Sequence, residues 1–341
     1  MRSPSFTDRT QPLSPYQLGA TLYLPATRTD IDQVILHNKV PGLSSLVICL
    51  EDAVQDDRVS VALQNLTHLL SRLNEAALSN NSLCSQHQPQ HQSSARHQPQ
   101  RPLVFIRPRN LDMAQWLIDH LDLSCISGFV LPKFTLASLD PWASLLEPTS
   151  LYWMPTLESI EVFDPFQMQK LAATLEAHPL RERILAIRIG GNDLMNLLSL
   201  RRQRNLTIYQ TPLAHVIQTL VCQFAPRDFA LTAPVCEIID DPAMLATELE
   251  QDIAHGLVGK TAIHPSQVKV VNRALMVSHQ DHQDAQQILE ASQAVFKSHG
   301  AMCEPATQHR WARNILIRAR YYGVINPIQV MPQQPQQNYI S

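Results

Sequence analysis

The 341-residue chain is poor in glycine, in closely paired cysteines and in clustered basic charge, and each shortage excludes a class of protein. It has nine glycines and no GxGxxG after an apolar run, which argues against a Rossmann-type nucleotide enzyme. No two of its six cysteines are spaced as CxxC, so the common zinc and thioredoxin-like sites are not expected. The formal net charge of −3 carries no basic excess, so no nucleic-acid partner is expected.

Long hydrophobic runs are also missing from the sequence. No stretch of about 18 apolar residues occurs, so no membrane partner is expected. Residues 1–14 are polar and proline-rich and lack the apolar core of a signal peptide. Cys49 and Cys222 lie within apolar runs, which predicts buried, reduced thiols in a cytoplasmic protein.

Two segments are too polar to bury a core. Residues 85–100 hold six glutamines and three histidines and predict a disordered insertion, although the histidines could bind a transition metal. The glutamine-rich residues 326–341 predict a flexible tail. Residues 1–18 are interpreted as an N-terminal extension.

The remaining chain alternates short apolar runs with segments of helical periodicity. The strand candidates are residues 20–24, 45–50, 103–107, 128–133, 151–155, 184–189, 229–232 and 257–263. Near-continuous apolar strands predict a parallel sheet that is buried on both faces. Eight such units over about 250 residues are typical of a (β/α)8 barrel, so we predict an α/β TIM barrel over residues 19–276. A doubly wound open sheet is the alternative.

Helices are predicted between and after these strands. The clearest apolar spacings cover residues 114–121, 159–177, 212–224 and 243–255. Thr29 or Asp30 could cap the first helix, and Asp56 could cap the second. Residues 277–325 predict a C-terminal helical extension, with helices near 283–298 and 309–321, that caps the barrel or forms an oligomer arm.

Polar residues follow six of the eight predicted strands, at the end where such a barrel carries its chemistry. They are Glu51 and Asp52, Arg107 with Arg109 and Asn110, Lys133, Glu158, GGND at 190–193, and His264. Carboxylates that converge from separate strands suit a hard divalent cation, and Arg107 would clamp a substrate carboxylate. A cation chelated by a 2-oxo acid would stabilise an enolate as it forms.

Each of these residues also has a plain structural interpretation. Glu51 and Asp52 could cap the following helix, and Arg107 could form a structural ion pair. Lys133 could be an ordinary loop lysine, and GGND could be a simple turn. Their joint placement at successive strand ends favours a site.

Several motifs occur in one order along residues 19–272. They are LYLPA (22–26), LEDAV (50–54), IRPRN (106–110), LPK (131–133), Glu158, GGND (190–193) and GLVGKTAIHPSQVKVVN (256–272). Together they resemble the citrate lyase beta-subunit / HpcH–HpaI aldolase family of the phosphoenolpyruvate/pyruvate barrel superfamily. The opening GATLYLPATRTDI and RPRN also resemble the carbon–carbon bond lyase-like barrels linked to tellurite-resistance and stress gene clusters.

The resemblance implies a Mg²⁺-dependent carbon–carbon lyase or aldolase that acts on a 2-oxo acid or acyl adduct through a metal-stabilised enolate. It implies metal ligands at Glu158 and Asp193, catalytic residues at Asp52, Arg107, Glu51 and Lys133, and substrate-binding residues at Arg107, Gly191 and Asn192. Mn²⁺ could replace Mg²⁺, because both accept oxygen ligands, and a coenzyme A thioester is one candidate substrate. The family is usually homo-oligomeric, which gives residues 277–325 a role over a neighbour's barrel mouth.

The sequence also departs from the family pattern. Cys49 stands where the family has an aspartate, and Ile160 stands where it has a small residue. Arg201, Arg202 and Arg204 follow Asp193 and could meet a phosphate or an acidic substrate, or could form a solvated face. The departures at Cys49 and Ile160, together with the glutamine-rich insertion, support an alternative, a catalytically decayed barrel that acts as a ligand-binding or scaffold subunit with partner proteins.

Overall fold

The computed structural model describes residues 12–84 and 101–325, and for residues 80–84 it describes the backbone alone. The chain forms two compact units, Met1–Val271 and Asn272–Ser341. The predicted insertion at 85–100, the predicted tail at 326–341 and residues 1–11 of the predicted N-terminal extension lie outside the described residues. The disordered insertion, the flexible tail and the N-terminal extension therefore stay predictions.

The first unit is built on an eight-stranded parallel sheet. Its strands are β1 Gly19–Pro25, β2 Ser45–Cys49, β3 Leu103–Arg107, β4 Gly128–Leu131, β5 Tyr152–Leu157, β6 Ile187–Ile189, β7 Leu231–Thr232 and β8 Gly259–Ala262. Their spatial order is β7-β6-β5-β4-β3-β2-β1-β8. Ala233, just after β7, pairs in parallel with Lys260 of β8, and its N–H donates to the Gly259 carbonyl at 2.7 Å. This pairing closes the sheet into a barrel.

Helices follow the strands around the barrel. They are α1 Ile31–Leu36, α2 Val59–Cys84, α3 Leu111–His120, α4 Leu139–Leu146, α5 Pro165–Ala177, α6 Gly191–Leu197, α7 Leu213–Phe224, α8 Pro242–Ala254 and α9 Pro265–Ala274. Short 3₁₀ helices cover Pro15–Gln17, Asp56–Arg58, Ile160–Phe163, Arg181–Arg183, Ile208–Gln210 and Ala225–Arg227. The prediction of a (β/α)8 barrel is confirmed, and the closed sheet excludes the doubly wound alternative.

The apolar character of the strands explains this architecture. All five residues of β2 are buried, because helices cover the outer face and side chains fill the inside. The lower interior is an apolar cluster of Leu18, Val47, Phe105, Val130, Met154, Leu185 and Ala186. Inward-facing residues nearer the carboxyl ends of the strands are polar, and they form the site described below.

Several predicted boundaries were wrong for local reasons. The predicted helix 159–177 is a 3₁₀ turn followed by α5, because Asp164 accepts from the Phe166 N–H and Pro165 starts a new helix. Asp30 precedes α1, but its carboxylate binds Arg28 and Lys39 and does not cap the helix.

The second unit combines two helices with two small sheets. Its elements are β9 Val277–Ser278, α10 His279–Glu290, β10 Phe296–Ser298, β11 Ala301–Cys303, α11 Pro305–Tyr322 and β12 Val324–Ile325. The core includes Val277, Ile288, Cys303 and Ile315. The predicted helix 283–298 was wrong beyond Glu290, since residues 296–298 pair with β11 as an antiparallel strand. The expected roles of this unit as a cap or an oligomer arm stay predictions.

The cysteines with described side chains are all free thiols. Four of them are buried, as predicted, but Cys222 is exposed on α7, so its expected burial was wrong. Its apolar neighbours Leu220 and Phe224 face the core, whereas position 222 lies on the other side of the helix. No helix in the described part of the chain is both long enough and apolar enough to cross a membrane.

Candidate active site

A buried arginine organises the carboxyl end of the barrel. Arg107, the last residue of β3, donates from Nε to Glu51 Oε2 at 2.6 Å, and its Nη2 also contacts that oxygen. The same Nη2 donates to Glu158 Oε1 at 2.9 Å and to Asp52 Oδ2 at 3.3 Å. One guanidinium thus joins the carboxylates that follow β2 and β5.

Lys133 joins the same carboxylates from the loop after β4. Its Nζ donates to Glu51 Oε1 at 2.8 Å and lies 3.9 Å from Asp52 Oδ1. Its backbone N–H donates to Glu158 Oε1 at 2.8 Å. Lys133 has φ of 47°, a left-handed conformation that costs energy for a residue with a side chain and is typical of functional sites.

Arg109 fixes the loop that carries Glu51 and Asp52. Its Nε donates to the Leu50 carbonyl at 3.0 Å, and its two terminal nitrogens bind the Val54 carbonyl and Asp56. Because these contacts bracket residues 51 and 52, the backbone of the acidic loop is held from both sides. Arg109 therefore positions the site and does not enter it.

Glu158 directly follows β5 and is 3% exposed. One of its oxygens is held by Arg107 and Lys133, and the other lies against Gly190. A Cβ atom at position 190 would overlap both Oε2 and Cβ of Glu158. The glycine that follows β6 is thus required for the second carboxylate oxygen to keep its place.

We expect Gly190→Ala to displace Glu158, because the added methyl group needs the space of its carboxylate. The free energy of unfolding should fall by about 1–3 kcal/mol, and affinity for a divalent cation should fall with it. Urea unfolding and calorimetry measure the two effects. A variant with unchanged stability and cation affinity would show that Gly190 is only a turn residue.

The electrostatics of Glu158 reflect burial beside other acids. Burial raises the pKa of Glu158 to about 7, against the lowering effects of Arg107 and the Lys133 N–H. The charges of Asp193 and Glu51 add to the rise. Asp193, in the first turn of α6, therefore lies close enough to act on Glu158, and it also raises the pKa of the Lys133 ammonium after Glu51 and Asp52.

Glu51 and Asp52 behave differently from each other. Burial acts to raise the pKa of Glu51, but Arg107 and Lys133 lower it below its usual range. Partial burial and the hydrogen bond with Glu51 raise the pKa of Asp52, whose side chain is 60% exposed. Glu51 is thus a fixed anion, and Asp52 is the carboxyl group open to solvent.

The site carries an excess of negative charge. Four carboxylates, on Glu51, Asp52, Glu158 and Asp193, face the two cations of Arg107 and Lys133. Within the described residues, no group of three or more His, Cys, Asp or Glu side chains is arranged to hold a metal ion by itself. The arrangement fits a divalent cation that takes two protein carboxylates and completes its coordination with water and substrate oxygens.

The comparison with protein families agrees with this geometry. A family model described as a carbon–carbon bond lyase of the TIM-barrel fold matches residues 12–324. The chain belongs to this family. The expectation of a lyase that acts on carbon–carbon bonds is confirmed. No curated protein sequence matches the chain.

Solved structures share the fold of this lyase. CitE from Mycobacterium tuberculosis, in complex with magnesium, acetoacetate and coenzyme A, is 21% identical with a TM-score of 0.60, over 89% of this chain and 99% of that one. RipC from Yersinia pestis is 19% identical with a TM-score of 0.53, over 76% and 96%. The M. tuberculosis citrate lyase beta subunit with oxaloacetate and magnesium is 20% identical with a TM-score of 0.51, over 76% and 98%.

Three further residues that the sequence singled out in this lyase, Gly191, Asn192 and His264, lie just after β6 and β8. Gly191 starts α6 and packs against Pro234, and Asn192 is exposed on the first turn of that helix. His264 is exposed, and its Nδ1 bonds to the Ser266 hydroxyl and N–H, so it shapes the loop after β8. The roles of Gly191 and Asn192 in substrate binding stay predictions.

The arginine cluster after α6 is a solvated face only in part, because Arg201 and Arg204 are exposed. The side chain of Arg202 is 3% exposed and binds Glu248 at 2.7 Å and Glu237 at 3.1 Å. Arg204 binds both oxygens of Asp240, at 2.8 and 2.9 Å. A cavity of about 800 Å³ lies beside these residues and Arg201, but acids of the same wall neutralise two of the three arginines.

Sequence reasoning missed two residues inside the barrel of the lyase. Arg188 of β6 is 2% exposed, and Tyr23 of β1 packs against its guanidinium. Arg188 is a charged residue in the middle of an apolar strand, IRI. That position was the available signal, because a charge rarely lies inside a buried strand without a function or a partner.

Proposed function

We propose that the protein is a Mg²⁺-dependent lyase or aldolase that acts on a 2-oxo acid or acyl adduct. It would break or form the bond between the carbon next to the oxo group and the carbon beyond it, with the electron pair held as an enolate that the metal stabilises. The observation that carries the proposal is the buried cluster in which Arg107 and Lys133 hold Glu51, Asp52 and Glu158 at the barrel mouth. Mg²⁺ and oxo acids are bound by the M. tuberculosis neighbours of the same fold.

Glu158 and Asp193 would hold the cation. Burial raises the pKa of Glu158 more than Arg107 and the Lys133 N–H lower it, and the charge of Asp193 adds to the rise, so a cation bound between the two carboxylates would stabilise their charged forms. Oε2 of Glu158 faces the space kept open at Gly190. Both residues offer hard oxygen ligands, so Mn²⁺ would also fit. A bound cation would polarise the oxo group as a Lewis acid and stabilise the negative charge that develops on it.

The other residues position these ligands and serve the substrate. Arg107 orients Glu158 through Nη2 and holds Glu51 through Nε, so much of its guanidinium is occupied by protein carboxylates. Lys133 holds the opposite oxygen of Glu51 and restricts its motion. Asp52 is the most exposed member of the cluster and is the group that can exchange a proton with solvent or substrate.

Calorimetric titration of Mg²⁺ into metal-free protein, with and without pyruvate or oxaloacetate, tests this function. We expect Mg²⁺ to bind and the 2-oxo acid to tighten that binding by about tenfold or more, since each supplies ligands or charge to the other. Release of a 2-oxo acid from aldol and acyl adducts, coenzyme A thioesters included, is then measured with Mg²⁺ present.

The same titration distinguishes the lyase from a non-catalytic barrel. Cation-dependent turnover of any adduct would exclude the scaffold alternative. Absence of Mg²⁺ binding, or binding that is indifferent to the 2-oxo acid, would contradict the proposed chemistry. A cytoplasmic location and a homo-oligomeric state remain predictions, and size-exclusion chromatography with light scattering checks the second.

A further inference from the structure

Arg188 is a buried cation inside the barrel. It lies on β6 in register with Thr156 of β5 and Thr232 of β7, so the three side chains point to the same interior. Its Nη2 donates to Thr261 Oγ1 at 2.5 Å, and Nη1 lies 4.0 Å from Met154 Sδ. The guanidinium carbon lies 5.3 Å from the centre of the Tyr23 ring.

No carboxylate in the described part of the chain lies within ion-pairing distance of Arg188. This separates it from Arg107 and Arg202, which are buried but bind two or more acids each. A buried charge without a counter-ion is costly and is kept where a ligand supplies the opposite charge. Among the described residues, the barrel interior therefore supplies no negative charge that would balance the guanidinium of Arg188.

Two hydroxyl groups beside Arg188 also lack partners. Thr156 Oγ1 and Thr232 Oγ1 are buried and have no hydrogen-bond partner among the described residues. Both are register neighbours of Arg188, one on each side. Arg188 and the two unpaired hydroxyls of its register neighbours offer several donors on one face of the sheet, which suits a carboxylate.

This donor set lies next to the proposed cation site. Thr156 and Arg188 each stand two residues before a site residue, Glu158 and Gly190, on the same face of their strands, and two residues span about 7 Å. Tyr23 and Thr261, the two partners of the guanidinium, are both only half-buried. Arg188 is thus beneath the mouth of the barrel and within the reach of a small molecule.

Tyr23 also connects the two buried guanidinium groups. Burial lowers the pKa of Arg107, but Glu158 and then Tyr23 raise it above its ordinary value. The Tyr23 hydroxyl is therefore close to Arg107, while its ring covers Arg188. Arg107 is committed to protein acids, whereas Arg188 is a buried cation that has no acidic partner within residues 12–79 and 101–325.

We propose that Arg188, with the hydroxyls of Thr156 and Thr232, binds the carboxylate of the 2-oxo acid and makes this site specific for a free acid group. The proposal rests on the proposed function for the position of the oxo group. The charges agree with this proposal. The four carboxylates exceed the two cations of Arg107 and Lys133 by two charges, which a divalent cation would balance, and Arg188 would balance one substrate carboxylate. Arg107 then orients the metal ligands and does not serve as the main carboxylate clamp.

Binding of pyruvate and of methyl pyruvate, which keeps the oxo group but has no charged carboxylate, tests the assignment. Both are titrated with Mg²⁺ into wild type, Arg188→Gln, Arg188→Lys and the control Arg72→Gln. Arg72 lies on α2, and its half-exposed side chain pairs with the buried carboxylate of Asp32. Wild type should prefer pyruvate by about 30-fold, and Arg188→Gln should lose that preference while Mg²⁺ alone binds as before. Arg188→Lys should regain part of it.

The outcomes separate this assignment from the proposed function. If Arg188→Gln weakens the binding of pyruvate and methyl pyruvate equally, or does not weaken pyruvate binding, the role of Arg188 is overturned and the lyase proposal stays intact. Pyruvate binding that needs Arg188 but neither Mg²⁺ nor Glu158 supports the carboxylate site and contradicts the lyase proposal. Failure of wild type to bind pyruvate, or equal binding of both ligands, overturns the carboxylate site.

Thermal unfolding distinguishes a binding role from a structural one. If Arg188 only supported the fold, Arg188→Gln would lower the Tm of the ligand-free protein. We expect the ligand-free Tm to stay unchanged or to rise, because the substitution removes an uncompensated buried charge. The rise in Tm that wild type shows with Mg²⁺ and pyruvate should be lost.

Discussion

Replacing Glu158 with glutamine should weaken Mg²⁺ binding by about 100-fold or more and abolish cation-dependent turnover. The substitution keeps the shape of the side chain but removes its negative charge and one ligand oxygen. Changes in outer-shell partners alone cost about 10- to 100-fold in metal affinity, so loss of a direct ligand should cost at least as much. Calorimetry with and without pyruvate measures the effect, and Asp193→Asn should change it in the same direction.

Glu147→Gln is the matched control for this substitution. Glu147 is exposed at the end of α4, so its substitution should leave Mg²⁺ affinity and turnover unchanged. Near-ultraviolet circular dichroism checks that Glu158→Gln keeps its tertiary structure, which is needed because Arg107 and the Lys133 N–H bind the same oxygen. Tight Mg²⁺ binding by a folded Glu158→Gln protein would place the cation elsewhere.

Among the substitutions proposed for this protein, Lys260→Met should lower the free energy of unfolding the most. Lys260 of β8 is 1% exposed on its side chain and donates to Glu248 at 3.0 Å and to Asp252 at 2.8 Å, both on α8. Without it, two buried carboxylates lose a partner, although Arg202 still binds Glu248 and Tyr209 still binds Asp252. Breaking such a buried pair costs about 3–5 kcal/mol, which urea unfolding measures.

The loss of stability in Lys260→Met should become smaller as the pH falls. In wild type, burial opposes the charged form of Glu248, but Lys260 and Arg202 hold its pKa below the usual range. Burial raises the pKa of Asp252 even with Lys260 present. Without Lys260 both pKa values should rise in the folded state above their unfolded values, so the folded variant takes up protons as the pH falls. The difference from wild type should therefore shrink between about pH 7 and pH 5.

Lys269→Met is the control for this prediction. Lys269 is exposed on α9, so the same chemical change there should alter the free energy of unfolding by less than about 0.5 kcal/mol. A Lys260→Met protein as stable as wild type at neutral pH would mean that water replaces the ammonium between α8 and β8. A deficit that grows on acidification would contradict the direction argued from the two carboxylates.

Much of the site was predictable because barrel topology converts position in the sequence into position in space. Polar residues at the ends of successive apolar strands meet at one mouth, so Glu51, Arg107, Lys133 and Glu158 could be placed together from the strand pattern. The structure shows these four in direct contact. Gly190 was predicted only as part of the GGND motif that carries Asp193, and its contact with Glu158 depends on how β5 and β6 align.

Other residues could not be assigned from the sequence, because their neighbours come from distant strands and helices. Arg202 looks like a solvated cation beside Arg201 and Arg204, and only the packing of α8 shows that Glu248 buries it. Arg188 looks like an interruption of an apolar strand, and its meaning depends on Tyr23 and Thr261 across the barrel. Because these contacts join residues that are far apart in the sequence, no local periodicity of the sequence reveals them.

By itself, the sequence determined the class of fold, the lyase family and the acidic end of the barrel, because alternating apolar segments and strand-end motifs are local features. The tertiary structure decided which charges pair and which do not. Three chemically identical side chains show this. Arg107 orients acids at the barrel mouth, Arg202 binds Glu248 of α8, and Arg188 has no counter-ion among the described residues. The difference arises from the low-dielectric interior, where the nearest partner across the fold decides whether a charge stabilises the protein or binds a ligand.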